Sequence, residues 1–438
     1  MPRWSQLGLH VIAKPTGPLC NLRCDYCFYL EKESLYGSQE KWRMSDTTLE
    51  AYVRQYIEAQ PEGVGEIDFA FQGGEPTLLG VDFFRCVIEL QQKYVPAGVR
   101  VHNSLQTNGI LLDDSWCRFL REHSFLVGIS LDGPADLHDK FRRDKQGRGT
   151  HARVVESIRR MQRHNVEFNA LSCINRHNGD HAKRVYRHLC DLGITFMQFI
   201  PIVERLDVDA TTSSTCAEEL VSDRSVLPSQ FGRFLIELFD QWVYNDVGRV
   251  FVRDFDQALA GVVGAGSSLC VYCEQCGRAT AIEHNGDLFS CDHFVDDEHK
   301  LGNIHDTSIR ELANSSRQEQ FARDKQERLP SRCRECDYLA LCNGACPKDR
   351  FVSSGDNEPP VNYLCEGFLA FFAHIKPTMK LMADELRARR PAAGVMRRLR
   401  AERQAQQRER SNGEAPLRRN SPCPCGSGRK FKACCMRR

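Results

Sequence analysis

The sequence predicts an α/β fold built on a partial (β/α)6 barrel, followed by an irregular cysteine-rich domain and a small cysteine-rich tail. Strand-like segments alternate with amphipathic helical segments over residues 8–205, and most of the cysteines lie in three separate groups. Such alternation is typical of parallel strands joined by helical crossovers. In barrels of this kind the chemistry lies at the C-terminal ends of the strands.

Each element of the barrel is predicted from its own pattern of apolar residues. The predicted strands are 9–14, 66–71, 101–107, 126–132, 167–174 and 196–201. Helical spacing between them predicts helices at 46–59, 81–94, 113–122, 150–164 and 178–192. A further helix is predicted at 228–246, a basic helical segment at 376–410 and a linker at 411–422.

Length and charge limit the organisation and the partners of the chain. A chain of 438 residues is too long for one ordinary domain. We predict a barrel at 1–228, a cysteine-rich domain at 229–375, a basic helical segment with its linker at 376–420, and a tail at 421–438. The net charge of +1 gives no reason to expect a nucleic-acid partner. The sequence has neither an apolar run of about 20 residues nor a signal-peptide pattern, so we expect a cytoplasmic protein without a membrane span.

The chain contains 21 cysteines. Without an export signal, so many cysteines indicate metal or cluster ligation rather than disulfides. The three groups lie at 20–27, 270–365 and 423–435. The scattered ones are expected to be small buried apolar side chains: Cys86, Cys117, Cys173, Cys190 and Cys216.

The first group is a C-x3-C-x2-C loop formed by Cys20, Cys24 and Cys27 after the first predicted strand. Thiolates are the usual ligands of iron–sulfur clusters. Three of them on one loop can bind three irons of a cubane and leave the fourth iron open. A structural zinc site requires four protein ligands, so zinc is the weaker interpretation.

Together with GGEP at 73–76, after the second predicted strand, this loop resembles the radical S-adenosylmethionine (radical SAM) superfamily. The resemblance implies that S-adenosylmethionine (AdoMet) chelates the open iron of a [4Fe–4S] cluster and yields a 5′-deoxyadenosyl radical. It also implies a set of cofactor contacts. The methionyl amino group is held by Gly73, Gly74 and Glu75, the methionyl carboxylate by Ser130 and Arg142, and the adenosyl part lies against Tyr26 and Val203.

The second group resembles the SPASM domain of enzymes that modify peptides. The resemblance implies two auxiliary [4Fe–4S] clusters, making three in all. One is bound by Cys270, Cys276, Cys291 and Cys346, and the other by Cys333, Cys336, Cys342 and Cys365. Cys273 is surplus, and spacing leaves open whether it replaces Cys270 or Cys276. Zinc ribbons are the alternative, because C-x2-C pairs commonly bind zinc.

Within this group, residues 8–375 are most similar to the anaerobic sulfatase-maturating enzymes, which oxidise a Cys or Ser in a Cys/Ser-x-Pro-x-Arg type motif to Cα-formylglycine. This resemblance implies two partners, a sulfatase polypeptide and an electron donor such as flavodoxin or ferredoxin. It also implies that Asp292 is the proton acceptor, and that the peptide is positioned by Tyr29, Gln72 and Gln106.

Alternatives remain for these assignments. Asp292 can instead accept a hydrogen bond from a loop amide, and the two glutamines can cap strand ends. His284 and His293 are expected to be structural or surface groups rather than ligands, because the cysteines suffice as ligands. The alternative function is another SPASM peptide modification, such as thioether or carbon crosslinking.

The tail has the pattern C-x-C-x8-C-C and resembles the SEC-C zinc motif. Its four thiolates can enclose one tetrahedral zinc ion, and the candidate ligands are Cys423, Cys425, Cys434 and Cys435. Gly426 and Gly428 allow the tight turn between the two pairs. A flexible reactive tail is the alternative.

Overall fold

One ten-stranded sheet organises the chain, and a two-stranded sheet lies in the cysteine-rich part. In the computed structural model, residues 8–37, 41–206, 217–413, 419–423 and 425–435 are described. The strands are β1 His10–Lys14, β2 Glu66–Phe71, β3 Arg100–Thr107, β4 Leu126–Ser130, β5 Glu167–Ile174, β6 Phe196–Pro201, β7 Phe251–Val252, β8 Ala279–Glu283, β9 Asp287–Phe289, β10 Lys300–Asn303, β11 Arg350–Val352 and β12 Val361–Asn362.

The helices pack between and around these strands. They are α1 Asp46–Glu58, α2 Gly80–Tyr94, α3 Asp114–Glu122, α4 Ala135–His138, α5 His151–Arg163, α6 Ala182–Asp191, α7 Pro228–Asn245, α8 Arg253–Val263, α9 Ile309–Ala313, α10 Ser316–Glu327, α11 Ser331–Arg334, α12 Leu339–Cys342, α13 Cys365–Arg387 and α14 Gly394–Gly413. None of the helices in the described ranges is long and apolar enough to cross a membrane.

The six predicted strands are confirmed as β1 to β6, and they lie side by side in sequence order. All of their pairings are parallel, with Ile12 opposite Ala70 and Phe71 opposite Leu105. A parallel arrangement brings the C-terminal ends of all six strands to one edge of the barrel. The cysteine loop, GGEP and QTNG therefore meet at that edge.

The cysteine-rich part does not fold apart from the barrel. β8 pairs in parallel with β1, with Val11 opposite Thr280, and β9 and β10 continue the sheet as antiparallel strands. The sequence predicted only short elements with little core in this region. The difference has a physical reason: β1 would otherwise present unpaired main-chain groups, and the buried Ala281 and Ile282 of β8 extend the core across that edge.

The helix pair α7 and α13 anchors the C-terminal part of the cysteine-rich region. The two helices meet at glycines: a Cβ added at Gly232 would lie 2.7 Å from the Gly367 Cα, and one added at Gly367 would lie 2.1 Å from the Pro228 carbonyl oxygen. Phe231 packs edge-to-face on Phe368 with 5.9 Å between ring centres. This contact fixes the start of α13, where Cys365 lies.

The basic helical segment differs from its prediction in where it begins and in its continuity. Helix α13 begins at Cys365 rather than at 376, and the helical path breaks between Arg387 and Gly394. Arg389 has a left-handed φ of 56° and Pro391 lies in the break, so the helix cannot continue there. The predicted domain boundary at 375/376 falls inside α13.

The scattered cysteines follow the expectation only in part. Cys117 is buried, whereas Cys173 and Cys190 are half-buried. Burial was the wrong prediction for Cys86, which is exposed because it lies on the outer face of α2. Cys216 lies outside the described residues.

Candidate active site

The first cysteine loop leaves β1 and is anchored on the segment that follows α4. The amide of Arg23 donates to the carbonyl of Arg143 at 2.9 Å, and that of Asp25 donates to the carbonyl of Phe141 at 3.1 Å. These main-chain bonds hold the loop across the C-terminal edge of the barrel. A folded main chain, rather than contacts of the cysteines themselves, thus gives the loop its shape.

The three thiols of this loop lie in surroundings that disfavour a bare thiolate. Cys24 is buried, and Cys20 and Cys27 are half-buried. Burial raises the pKa of Cys20 to about 11 and that of Cys24 to about 12, and each thiol raises the pKa of its neighbours further. Deprotonated sulfur at this position therefore needs a bound cation, so the residues fit a three-thiolate iron site.

The GGEP loop lies directly against the cysteine loop. The amide of Gly74 donates to the carbonyl of Gly17 at 2.8 Å, and that of Glu75 donates to the carbonyl of Leu19 at 2.9 Å. A Cβ at Gly74 would lie 2.0 Å from the Leu19 carbonyl oxygen, and Gly73 has a φ of +116°. Both positions therefore require glycine.

The Glu75 carboxylate is buried and satisfied by the protein. It accepts hydrogen bonds from the Thr77 amide (3.1 Å) and hydroxyl (2.5 Å), from the Thr107 hydroxyl (2.7 Å) and from the Asn108 amide (2.8 Å). Burial raises the pKa of Glu75, and these hydrogen bonds oppose that effect. The carboxylate thus ties GGEP to QTNG, the loop that follows β3.

Two residues predicted for different ligands are in contact. Gln106 on β3 donates from Nε2 to the Ser130 hydroxyl on β4 at 3.1 Å. Gly128 lies opposite Gln106, and a Cβ there would lie 2.0 Å from the Gln106 Oε1. The glutamine side chain thus crosses from one strand to the next at the C-terminal edge, where the predicted peptide and methionyl positions adjoin.

Arg142 and Tyr26 are joined by Asp132, a residue that the sequence analysis did not select. Arg142 Nε donates to Asp132 Oδ2 at 2.9 Å, and the Tyr26 hydroxyl donates to the same oxygen. The guanidinium also lies over the Tyr26 ring, 5.5 Å from its centre. Asp132 follows β4 in SLDG, and its charge adjacent to a buried strand was the available signal.

Gln72 and Val203 lie at the ends of β2 and β6. The Gln72 amide donates to the carbonyl of Ala13 at 2.8 Å, and the side chain is half-buried. Val203 is buried, and its carbonyl accepts from Lys348 Nζ at 3.4 Å. Lys348 follows Cys346, so the barrel contacts the cysteine-rich part at this point.

Asp292, the predicted proton acceptor, forms an ion pair with Lys14 at the end of β1. The Lys14 side chain is 2% exposed and that of Asp292 is 17% exposed. Burial works to raise the pKa of Asp292, but the Lys14 ammonium, together with a contribution from His293, outweighs it, and the pKa lies below its ordinary value. Asp292 is therefore an ionised carboxylate that remains accessible to a ligand.

Tyr29 completes the surroundings of Lys14. Its ring centre lies 4.2 Å from Lys14 Nζ, which is cation–π distance, and its hydroxyl donates to Glu283. Tyr29 is 2% exposed, so it touches the ion pair rather than open space. Glu283 in turn lies 3.4 Å from His284 Nδ1.

Lys14 and Glu283 were not among the residues predicted for the site. Each ends an otherwise apolar strand, and β1 and β8 are neighbours in the sheet. Lysine and glutamate are rarely buried without a partner, so charges at these strand ends were a usable signal. His293 is exposed and packs on Phe28 with 5.8 Å between ring centres.

The remaining cluster cysteines form two groups. The thiols of Cys276 and Cys346 lie close enough to Cys291 to raise its pKa, and that of Cys276 also raises the pKa of Cys346. Cys270 and Cys273 raise the pKa of Cys276 in the same way. The other group is Cys333, Cys336, Cys342 and Cys365. The assignment of four cysteines to each auxiliary cluster stays a prediction from the SPASM resemblance.

One cavity of about 130 Å³ is lined by the group that contains Cys342, together with Tyr338, Phe368 and other side chains. For comparison, a cavity of about 150 Å³ holds a benzene molecule. The space therefore exceeds what a single zinc ion with four direct ligands would occupy, and it fits a cluster. Burial raises the pKa of Cys342 to about 12, so a cationic occupant is again needed to keep thiolates here.

Cys273 lies close to Cys270 and Cys276, but its thiol is engaged by main-chain oxygens. Its thiol donates to the carbonyls of Ser267 at 3.1 Å and Leu269 at 3.4 Å. These hydrogen bonds favour Cys270 and Cys276 as the ligands.

The tail cysteines differ from both groups in their spacing. The four Sγ atoms of Cys423, Cys425, Cys434 and Cys435 all lie within 4.8 Å of one another. In the described ranges, this is the one group of at least three His, Cys, Asp or Glu residues that is so compact. Tetrahedral zinc with bonds of about 2.3 Å places its sulfurs about 3.8 Å apart, so the tail fits a single ion.

Three family models match the chain. The radical SAM superfamily matches residues 15–201, the SPASM iron–sulfur cluster-binding domain matches 273–337, and the SEC-C motif matches 419–437. The matches follow the order of the barrel, the cysteine-rich part and the tail.

Relatives extend the similarity over most of the chain. A serine-type anaerobic sulfatase-maturating enzyme of Bacteroides thetaiotaomicron is 41% identical over 396 residues, covering 89% of this chain and 95% of the relative. A cysteine-type enzyme of Clostridium perfringens is 33% identical and covers 86% and 99%. The solved structure of native anSMEcpe with bound AdoMet and Cp18Cys peptide has a TM-score of 0.76 at 33% identity, covering 86% of this chain and 99% of that one. The chain therefore belongs to the anaerobic sulfatase-maturating enzymes of the radical SAM superfamily.

Proposed function

We propose that the protein oxidises a Cys or Ser side chain of a sulfatase polypeptide to Cα-formylglycine by radical chemistry. The observation that carries this proposal is the ion pair between Asp292 and Lys14. Lys14 ends the strand from which the Cys20–Cys27 loop leaves, so an ionised acceptor lies beside the loop that starts the radical reaction. The serine- and cysteine-type relatives support the same reaction class.

The residues that would hold the cofactors follow from the grouping of the cysteines. Cys20, Cys24 and Cys27 would bind the cluster that cleaves AdoMet, and the two groups of four would bind the auxiliary clusters. When bound, the first cluster and AdoMet supply the 5′-deoxyadenosyl radical that removes a hydrogen atom from the substrate Cβ. The tail cysteines would hold zinc.

AdoMet would lie against the loops at the C-terminal edge of β2, β4 and β6. The main chain of Gly73, Gly74 and Glu75 receives the methionyl amino group, and the Glu75 carboxylate keeps that loop in shape. The remaining contacts are those of Ser130 and Arg142 with the methionyl carboxylate, and of Tyr26 and Val203 with the adenosyl part.

The oxidation requires loss of one hydrogen atom, one proton and one electron. Asp292 takes the proton from the substrate sulfur or oxygen. An auxiliary cluster, when bound by its four cysteines, would supply the acceptor for the electron. A serine then becomes the aldehyde directly. A cysteine becomes a thioaldehyde, which water converts to the aldehyde with release of hydrogen sulfide. Lys14 keeps Asp292 ionised before the substrate proton arrives.

Three residues position the peptide. Gln72 and Gln106 end neighbouring strands and face the substrate from the barrel edge. Tyr29 acts through Lys14, because its ring and hydroxyl hold the ammonium and Glu283 in place. Flavodoxin or ferredoxin would supply the reducing electron, and the reaction would take place in the cytoplasm. The four predicted segments would act as the barrel, the cluster domain, the connecting segment and the zinc module.

The test is anaerobic incubation of the reconstituted protein with AdoMet, a reductant and synthetic Cys/Ser-x-Pro-x-Arg peptides. Mass spectrometry should show an aldehyde and an equal amount of 5′-deoxyadenosine. A variant with C20A, C24A and C27A should form neither. A thioether or carbon crosslink in place of the aldehyde would contradict the proposal.

A further inference from the structure

Arg350, the first residue of β11, holds the chain segment between the two auxiliary cysteine groups. Its guanidinium donates to the carbonyls of Gly344 at 2.9 Å, Asn343 at 3.0 Å, Ala345 at 3.3 Å and Lys325 at 2.6 Å. All four acceptors are main-chain oxygens. These hydrogen bonds position the guanidinium without neutralising its charge.

The segment held by Arg350 links a ligand of one group to a ligand of the other. Residues 343–345 lie between Cys342 and Cys346, and all three have left-handed φ angles, of 47°, 68° and 52°. Residues other than glycine rarely adopt this main-chain conformation, so contacts with the surrounding residues hold the turn in it. Four residues can span at most about 14 Å, and a curled turn spans less, so the two groups lie close together.

The turn is also closed by its own main chain. The amide of Ala345 donates to the carbonyl of Cys342 at 2.9 Å, and that of Asn343 donates to the carbonyl of Leu339 at 2.7 Å. A Cβ at Gly344 would lie 2.6 Å from an Arg350 terminal nitrogen, so glycine is needed for the guanidinium to fit. Turn and guanidinium thus form one unit between the groups.

The positive charge of Arg350 lies close to cysteines of both groups. It interacts electrostatically with Cys276 and Cys346 of one group and with Cys333 and Cys342 of the other. A buried cation requires a negative partner, and four thiolates around an iron–sulfur core provide one. One-electron reduction makes such a cluster more negative still, so a nearby cation favours the reduced form.

Lys325, on α10, acts on one group alone. It is 1% exposed, and its Nζ donates to the carbonyls of Cys270 at 2.6 Å, Val271 at 3.0 Å and Cys273 at 2.5 Å. The thiols that it influences are Cys270, Cys276 and Cys346, all of the group that contains Cys291. That group therefore has a buried cation of its own, whereas Arg332, the further cation near the other group, is exposed.

We propose that Arg350 raises the reduction potentials of both auxiliary clusters, and that Lys325 raises further the potential of the cluster held by Cys291. The cluster next to Asp292 is then the stronger acceptor for the electron that leaves the substrate. Arg350 and Lys325 are positioning residues, since they act through the clusters. This inference rests on the ligand assignment in the proposed function.

The experiment measures potentials rather than turnover. The parent is the full-length chain with C20A, C24A and C27A, reconstituted anaerobically so that only the auxiliary clusters contribute to the EPR spectrum. About eight irons per chain are expected, four for each cluster. An iron-free parent would contradict the ligand assignment and, with it, the inference. EPR-monitored redox titration then compares R350Q, R350K and K325Q in this parent, with R323Q as the matched control.

R350Q should lower both midpoint potentials, and R350K, which keeps the charge, should restore much of the loss. K325Q should lower only the higher of the two potentials. R323Q removes an exposed charge on the same helix as Lys325 and should leave both unchanged. Unchanged potentials in an iron-replete R350Q would overturn the role of Arg350. If R350Q fails to retain iron, K325Q provides the test. A shift of both potentials by the same amount in K325Q, or no shift of either, would overturn the proposal.

Discussion

Lys14 and Asp292 form a buried ion pair that joins the two halves of the molecule. Lys14 ends β1, six residues before Cys20, and Asp292 directly follows Cys291. Because the pair links a residue near the first cysteine loop to a residue beside Cys291, the proposed proton acceptor is fixed relative to both. Removing one partner of a buried pair leaves an uncompensated charge, so both residues matter for the fold as well as for chemistry.

Asp292→Asn keeps the shape of the side chain and removes its charge. We expect aldehyde formation to fall about 10²–10⁴-fold while AdoMet is still cleaved to 5′-deoxyadenosine. The rate of aldehyde formation should fall further with a serine peptide than with a cysteine peptide, because a thiol with a pKa of about 8.5 loses its proton more readily than an alcohol. Both products are quantified in the same reaction, with Asp297→Asn as the control on an exposed aspartate nearby. Full aldehyde formation by Asp292→Asn at neutral pH would mean that another group takes the proton.

Lys14→Met should change the pH dependence of the reaction. Lys14 holds the pKa of Asp292 below its ordinary value, so the carboxylate is ionised throughout the neutral range. Without Lys14, burial raises that pKa, and the acid limb of the aldehyde rate profile should move to higher pH. Lys14→Arg keeps the charge and should retain the original limb, and Lys93→Met tests the loss of an exposed lysine.

The same substitution should lower stability. Breaking a buried ion pair on one side costs about 3–5 kcal/mol. The pH profile is therefore measured below the unfolding temperature of each variant. An acid limb that stays in place in folded Lys14→Met would show that Lys14 does not control Asp292.

Gly74→Ala tests the contact between GGEP and the cysteine loop. The new Cβ would lie 2.0 Å from the Leu19 carbonyl oxygen, so the loop that carries Cys20 must move. We expect a loss of about 1–3 kcal/mol and a lower iron content of the first cluster. Gly65→Ala is the matched control, since nothing lies within 4 Å of its Cβ position. Thermal unfolding and iron analysis provide the readouts, and equal behaviour of the two variants would refute the contact as a constraint.

Truncation before Ser421 should remove the zinc and leave the peptide reaction nearly unchanged. Every residue assigned to the reaction lies before position 370, and the compact tail cysteines form a separate site. Zinc analysis and aldehyde formation on a short peptide check this. Loss of activity on the short peptide would place the tail in the active site.

Much of the fold was predictable because its signals are local. Strand-like runs alternating with amphipathic helical segments identified the six parallel strands, and the spacing of the cysteines with GGEP identified the superfamily. The pairing of β8 with β1 was not predictable, because it joins segments separated by some 270 residues and both strands are short. The first turns of α13 were not predicted to be helical, because Pro377 lies within the helix and because the segment around Cys365 was interpreted only by its cysteine pattern.

The sequence alone determined the chemistry that this chain can perform, since the number, spacing and order of thiolates are properties of the chain. Only the tertiary structure decided how the charges pair. Lys14 with Asp292, Asp132 with Arg142, and Arg350 between two cysteine groups each join residues from different elements. The physical reason is that a buried charge is tolerated only with a partner, and which partner is near depends on sheet pairing and loop packing rather than on local sequence.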